Sequence, residues 1–313
     1  MTKLKENILN RLLSGETVSG EQMAMKYKVS RAAVCKCVKD LRLDGYDISA
    51  KSGRGYSLCL GDMLSAEKIQ MLAGGEWKAE VYETLTSTND AAKKHAASGG
   101  NFVAVLAETQ SAGRGRLGRS FFCKKGSGLY ISVLIRPKLD MTDCGKITAY
   151  AAVVAAKAVE KLCGKSVDIK WVNDLYMNSK KICGILTEGG MGFEGGSLDY
   201  AVVGIGINVT DPCFPDDVRE VATDVQTESG VKIGRCELAA EILKGLAETE
   251  TQIKNGGFIA DYRSRLFMLG REVVVNGSYT AKAVALDDDC SLILEREGKR
   301  IKFSAGEVTL KLK

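Results

Sequence analysis

The sequence predicts an α+β protein in three parts: a winged helix-turn-helix over residues 1–60, a mixed α/β body over 65–268, and a small SH3-like β-barrel over 269–313. Three observations predict it. Two capped amphipathic helices across a tight turn precede two short strands around a glycine. Apolar strand runs and helical runs then alternate without a fixed repeat. From Gly270 onward, apolar and polar residues alternate between turns, with strands near 272–276, 280–286, 291–295, 300–304 and 307–310.

In the first part, Leu4, Ile8, Leu9, Leu12 and Leu13 recur at helical spacing, and Ser14-Gly15 stops that helix. Ser19 with Gln22 three positions on makes a capping box for a short helix through Met23 and Met25 to Tyr27. Ser30 is a second N-cap, for a helix over 31–44 whose inner stripe is Val34, Cys37, Val38 and Leu41. Lys36 and Lys39 face the other way. Residues 47–52 and 54–59 read as the strands of a wing carrying Lys51 and Arg54. Charge follows the same division. Residues 1–60 hold 11 Lys and Arg against 6 Asp and Glu, whereas the other 253 residues hold 33 of each. A basic head on a neutral body suits a nucleic-acid reader, with Arg31, Lys36, Lys39, Lys51 and Arg54 as candidate DNA contacts. Compact three-helix units also serve as protein-binding modules; wing and charge together favour DNA.

Composition removes several kinds of chemistry. The single histidine, His95, lies in a polar helical stretch and reads as a surface residue, which excludes a two-histidine metal site and argues against a Ser-His-Asp triad. The 10 cysteines contain no C-x-x-C pair. With no apolar leader at the amino terminus, they read as reduced, small core residues of a cytoplasmic protein. The stretch 147–163 is the most membrane-like, but Lys157, Glu160 and Lys161 break it, so it reads as a buried helix and no membrane partner is expected. Catalysis would rest on Lys, Arg, Asn, Asp and backbone groups.

The body follows a linker at 61–64. Residues 81–85 read as a strand, Ser87-Thr88-Asn89-Asp90 as capping residues of a helix through Ala97, and 102–107 and 129–135 as buried strands. Between those two strands stands Gly113-Arg-Gly-Arg-Leu-Gly-Arg119. Its glycines free the backbone to wrap a ligand closely, and its arginines supply forked donors suited to carboxylate and phosphate. It is not a P-loop, because no G-K-[ST] follows, and a strand rather than a helix comes after it. Alone, it would equally be a flexible surface loop or a nucleic-acid contact. Further on, one strand delivers Lys170, Asn173 and Asp174 to its end, another begins at Lys181, and a third, over 200–209, ends at Asn208. Each by itself is an ordinary strand end or turn. Together they put polar groups at the ends of several apolar strands.

On the blocks Ser87-Thr-Asn, Gln110 with Gly113-Arg-Gly-Arg-Leu-Gly-Arg, Lys170-Trp-Val-Asn-Asp, Lys181-Ile-Cys-Gly-Ile-Leu and Gly204-Ile-Gly-Ile-Asn208, the chain resembles the biotin–protein ligases. It most closely resembles the bifunctional bacterial form, which also represses the biotin biosynthetic operon. The resemblance spans nearly the whole chain and implies a class II synthetase-like body.

What it implies functionally is a biotin–[acetyl-CoA-carboxylase] ligase. Biotin and MgATP would form biotinyl-5′-AMP, and a lysine of a biotin carboxyl carrier domain would take the biotinyl group. By resemblance, Ser87, Thr88, Asn89, Gln110, Arg114, Gly115, Arg116, Lys181 and Gly184 would bind biotin. Arg116, Arg119, Phe121, Lys170, Asn173 and Asn208 would serve ATP. Arg116, Lys181, Lys170 and Asp174 form the catalytic set, with Asp174 supporting Mg²⁺ or steering the acceptor lysine. Operator DNA and a ligand-promoted homodimer are the implied regulatory partners. Neutralising two anions with Arg and Lys under a closing loop lowers the barrier to their meeting without histidine. Two positions depart from the family pattern: Val172 replaces a customary proline, and Phe121 a customary tryptophan, which predicts weaker nucleotide affinity. The alternatives are a lipoate–protein ligase and a non-catalytic ligand-sensing transcription regulator.

Overall fold

The computed structural model describes residues 3–13, 16–43, 48–51, 55–58, 63–191, 197–210, 214–304 and 310–312, and the chain divides into two compact units, 1–63 and 64–313. In the first, helices α1 (Lys3–Leu13), α2 (Gly20–Tyr27) and α3 (Arg31–Leu43) precede an antiparallel pair, β1 (Ile48–Lys51) and β2 (Gly55–Leu58). Both predicted caps form: Ser19 Oγ accepts from Gln22 N at 3.0 Å and Ser30 Oγ from Ala33 N at 3.2 Å. Ile8, Leu12, Met23, Val34, Val38 and Leu41 meet in a core of their own. Arg31, Lys36 and Lys39 remain exposed. Arg54 and the side chain of Lys51 lie outside the described residues.

The second unit opens with α4 (Ala66–Ala73), capped by Ser65 and absent from the sequence expectation. Leu64, the last residue of the expected linker, is buried, and its N–H donates to Glu108 Oε1 at 3.2 Å; residues 61 and 62 lie outside the described residues. There follow β3 (Lys78–Leu85), α5 (Thr88–Ala97), β4 (Val103–Gln110), β5 (Gly128–Ile135), α6 (Cys144–Cys163), β6 (Asp168–Lys170), β7 (Asp174–Met177), β8 (Lys180–Met191) and β9 (Leu198–Asn208). Helices α7 (Asp216–Arg219), α8 (Val225–Ser229), α9 (Arg235–Ala247), α10 (Thr249–Asn255) and α11 (Ile259–Arg265) complete the body. The strands form one sheet in the order β3-β4-β5-β9-β8-β7-β6, parallel between β3 and β4 and antiparallel elsewhere. α5 packs on one face through Ala92, Ala96, Val103, Val105, Leu134 and Val202. α6 lies in the main core; among the described residues no helix is long and apolar enough to cross a membrane.

The segment expected to be one strand near 170 is two. Lys170 ends β6 and pairs with Asp174 at the start of β7, and the tight reversal between them carries Trp171, Val172 and Asn173. The Trp171–Val172 peptide bond is cis.

Strands β10 (Glu272–Val275), β11 (Tyr279–Leu286), β12 (Leu292–Arg296), β13 (Lys299–Phe303) and β14 (Leu310–Leu312) form an antiparallel sheet in the order β13-β12-β11-β10-β14. Among the described residues no pairing joins the outer strands β13 and β14, so the closure expected of a barrel is absent there. In the exposed acidic turn after β11, Asp287 and Asp289 meet Lys302 at 2.5 and 2.8 Å, and Asp288 meets Arg263 at 3.1 Å.

Candidate active site

Side chains alternate across a strand, so residues two apart share a face. One face of β8 carries Gly184, Leu186 and Glu188. The same face of β9 carries Gly204 and Gly206, with Gly184 opposite Gly206 and Leu186 opposite Gly204. The glycines leave bare backbone as the floor of a cavity. Two neighbours come too close to allow a larger residue: a Cβ on Gly204 would lie 2.2 Å from Asn89 Oδ1, and one on Gly206 2.7 Å from the Phe121 ring.

One wall is the N-terminus of α5. Ser87 makes no side-chain capping bond there. Thr88 is fixed, because its N–H and Oγ1 both donate to Gln110 Oε1, at 2.8 and 3.1 Å. Buried Ser132 places its Oγ 2.7 Å from Thr88 Oγ1 and 2.5 Å from Asn89 Oδ1. Asn89 Nδ2 donates to Glu188 Oε2 at 2.7 Å, and Lys93 Nζ to Glu188 Oε1 at 2.5 Å. Burial pushes the Glu188 carboxyl up, but the bonds from Lys93 and Asn89 outweigh it and hold the group below its usual range. Gln110 Nε2 donates to Cys123 Sγ at 3.3 Å; burial pushes that thiol up to about 11, which keeps it protonated and unreactive near neutrality.

The Gly/Arg segment is a closed turn in this structure, not a loose loop. Gly115 N donates to Arg119 O at 2.7 Å and Phe121 N to Gly113 O at 2.9 Å, around one helical turn at Arg116–Gly118. Arg114 pairs with Asp90. Arg116 is half-buried and its Nη1 donates to Asn173 Oδ1 at 3.1 Å. Burial draws its guanidinium below the ordinary value, an effect that Asp174 opposes. Lys181 Nζ stands 2.7 Å from Asp174 Oδ1, a buried oxygen that receives no well-directed hydrogen bond. Lys170 Nζ lies 5.8 Å from the Tyr176 ring centroid, and Arg119 is exposed at the rim. Five cations therefore line the cavity against one carboxylate, Asp174.

All but one of the expected ligand-site residues line this cavity. The exception is Asn208. It is buried at the end of β9, and its amide donates to Thr223 O at 3.0 Å. Sequence reasoning missed the supporting groups: Ser132 inside an apolar strand, Glu188, Lys93, and the buried pair Glu108–Arg235, which is bonded at 2.8 and 3.2 Å. The glycine alternation in 204–206 was a usable signal for the bare floor. No comparable pattern marks Ser132 or Arg235.

Against known proteins, the Biotin/lipoate A/B protein ligase family matches residues 81–208, an HTH domain matches 5–57, and the biotin protein ligase C-terminal domain matches 268–311. The bifunctional ligase/repressor BirA of Bacillus subtilis (strain 168) is 32% identical over 307 residues, covering 93% of each chain. The chain belongs to the family of bifunctional biotin ligase/repressors. This ligase/repressor is also 30% identical to BirA of Escherichia coli (strain K12) over 309 residues, covering 96% of this chain and 95% of that one. The structure of biotin protein ligase from Aquifex aeolicus in complex with biotin and ATP aligns with a TM-score of 0.66 at 26% identity, covering 75% of the ligase/repressor and 99% of that chain.

Proposed function

We propose that the protein joins biotin to a carrier-domain lysine in two steps and that its head represses transcription of biotin-synthesis genes. First, a biotin carboxylate oxygen attacks the α-phosphorus of ATP; the new P–O bond forms as the bond to pyrophosphate breaks, leaving biotinyl-5′-AMP. The acceptor lysine amine then attacks the acyl carbon, giving an amide and releasing AMP and a proton. The observation that carries this reading is the meeting of Arg116, Lys181 and Lys170 beside the Thr88–Gln110 pair over a glycine floor. Cations placed where two anions must approach act most strongly at that approach, which is where the barrier lies.

In this reading Ser87, Thr88, Asn89 and Gln110 hold the ureido ring, with Arg114, Gly115 and Gly184 beside it. Arg116 and Lys181 bridge carboxylate and α-phosphate. Lys170, Arg119, Asn173 and Phe121 serve the nucleotide, while Asn208, engaged with Thr223, is left out. The lining offers Mg²⁺ a single carboxylate, Asp174, whose buried oxygen now faces Lys181 Nζ at 2.7 Å, so the site fits an ion held mainly by the phosphates. Asp174 would hold that ion, which when bound supplies further neutralisation of phosphate charge. Residues 1–60 are assigned to operator DNA, 65–268 to chemistry with a class II synthetase-like layout, and 269–313 to an SH3-like domain. A ligand-promoted homodimer would carry two heads to two half-sites. The head and the C-terminal domain match favour biotin over lipoate as the acyl group.

The test is biotin-dependent ATP–pyrophosphate exchange and transfer to a carrier domain, with lipoate as the competing substrate and a gel shift on the biotin operator. Exchange with biotin is expected, and Arg116→Ala and Lys181→Ala are expected to slow it by about 10²–10³. Transfer of lipoate alone, or wild-type exchange rates in both variants, would overturn the assignment.

A further inference from the structure

The turn that carries Trp171, Val172 and Asn173 is held by groups from far along the chain. Tyr262 of α11 is fully buried, and its hydroxyl donates to Val172 O at 2.9 Å. Trp171 Nε1 donates to Cys290 O, in the turn after β11, at 2.9 Å. From the sheet side, Ile185 N donates to Asn173 O at 3.0 Å and Asn173 Nδ2 to Ile185 O at 2.8 Å. Those bonds orient the Asn173 amide so that its Oδ1 receives Arg116 Nη1.

We propose that Tyr262 is a positioning residue for the nucleotide half of the adenylate-forming reaction. Its hydroxyl sets the Val172 carbonyl, and the turn in turn sets Asn173, Asp174 and, through Asn173, Arg116. This rests on the ligase reading above. Tyr262 does not line the cavity, so it acts through these groups and through its own electrostatic influence on the neighbouring Arg116. Val172 is 1% exposed, so no solvent replaces a lost donor at its carbonyl, and the turn would have to shift to find one. Burial pushes the Tyr262 phenol far above its usual range, so it stays a donor throughout the working pH. The biotin-ring end of the cavity stands on α5 and β4, held by separate bonds from Thr88 to Gln110. A displaced turn therefore separates the two substrates.

The experiment measures pyrophosphate exchange by the full chain at varied MgATP and varied biotin. Tyr262→Phe keeps the ring and removes only the donor. It is expected to lower kcat/KM for MgATP about tenfold and to move the KM for biotin less, since Arg116 also meets the biotin carboxylate while the ring end is held separately by Thr88 and Gln110. Trp171→Phe removes the second tie to the same turn and also trims the cavity wall, since Trp171 lines it; it should lower kcat/KM for MgATP by at least the loss expected of Tyr262→Phe, even if that first variant does not fold. Combining Tyr262→Phe with Asn173→Ala should cost less than the product of the separate losses. Multiplicative losses, equal shifts for both substrates, or a lower Tm with unmoved MgATP kinetics would overturn the proposal. A wild type without exchange would overturn the ligase reading as well; an active wild type with unmoved variants overturns this inference alone.

Discussion

At the scale of single residues, the most consequential group outside the cavity is Arg235. Its guanidinium is 2% exposed, grips both oxygens of Glu108 and also donates to Gly128 O at 3.1 Å. Glu108 in turn holds Leu64 N and lies two residues before Gln110 on β4, so one buried pair braces the start of this unit and a strand of the site. Such a pair is worth little relative to a well-packed apolar substitute, but removing one partner strands the other charge. Arg235→Met is expected to lose about 3–5 kcal/mol in urea unfolding, with the double variant Arg235→Met/Glu108→Leu recovering much of it. A loss below about 1 kcal/mol, within the range of ordinary surface substitutions and exposed ion pairs, would show that the pair is already solvated.

Elements explain why some of this was legible and some was not. The caps Ser19 and Ser30, the continuous apolar runs of β4, β5 and β9, and the helical stripe of α3 are local signals, and each formed where the sequence placed it. The turn between β6 and β7 was misread as one strand because Trp171 and Val172 have strand-like side chains, while the groups that hold them, Tyr262 and Cys290, lie about a hundred residues away. α4 was overlooked although Ser65 followed by Glu67 announces a helix start. The cavity residues were readable as blocks; Ser132 was not, because a serine in an apolar strand shows its use only when α5 folds over it. The pairing of β8 with β9 makes a direct prediction. Gly206→Ala sets a methyl against the Phe121 ring. Overpacking of this kind destabilises by about 1–3 kcal/mol. Here it should also weaken MgATP more than biotin, which steady-state kinetics and a thermal melt would resolve together.

Over the whole molecule, paired carboxylates contribute stability that acid removes. Hydrogen bonds from Lys78, Lys161, Lys254 and Lys302 hold Glu80, Glu241, Glu250 and Asp287 below their usual range. For Asp261 and Asp289, as for Glu188, burial pushes up but paired cations prevail. A carboxyl lowered by folding stabilises above its unfolded value, 4.5 for Glu and 3.8 for Asp, and that contribution fades as pH falls toward the folded value. The Tm is therefore expected to hold through the mildly acidic range and to drop below about pH 4.5, and Glu188→Gln should make that drop shallower. A Tm that falls as steeply in Glu188→Gln as in the wild type would remove Glu188 from this account.

The cavity contains no imidazole; the chain's one such ring, His95, is half-buried on α5 and paired with Glu80 of β3. Imidazole is the side chain whose ordinary protonation change falls within the range a living cell visits. Inside the cavity, charge is carried by guanidinium, ammonium and one carboxylate, whose ordinary protonation changes fall outside that range. Pyrophosphate exchange should therefore stay nearly level across the mildly acidic to mildly alkaline swings of a cell interior.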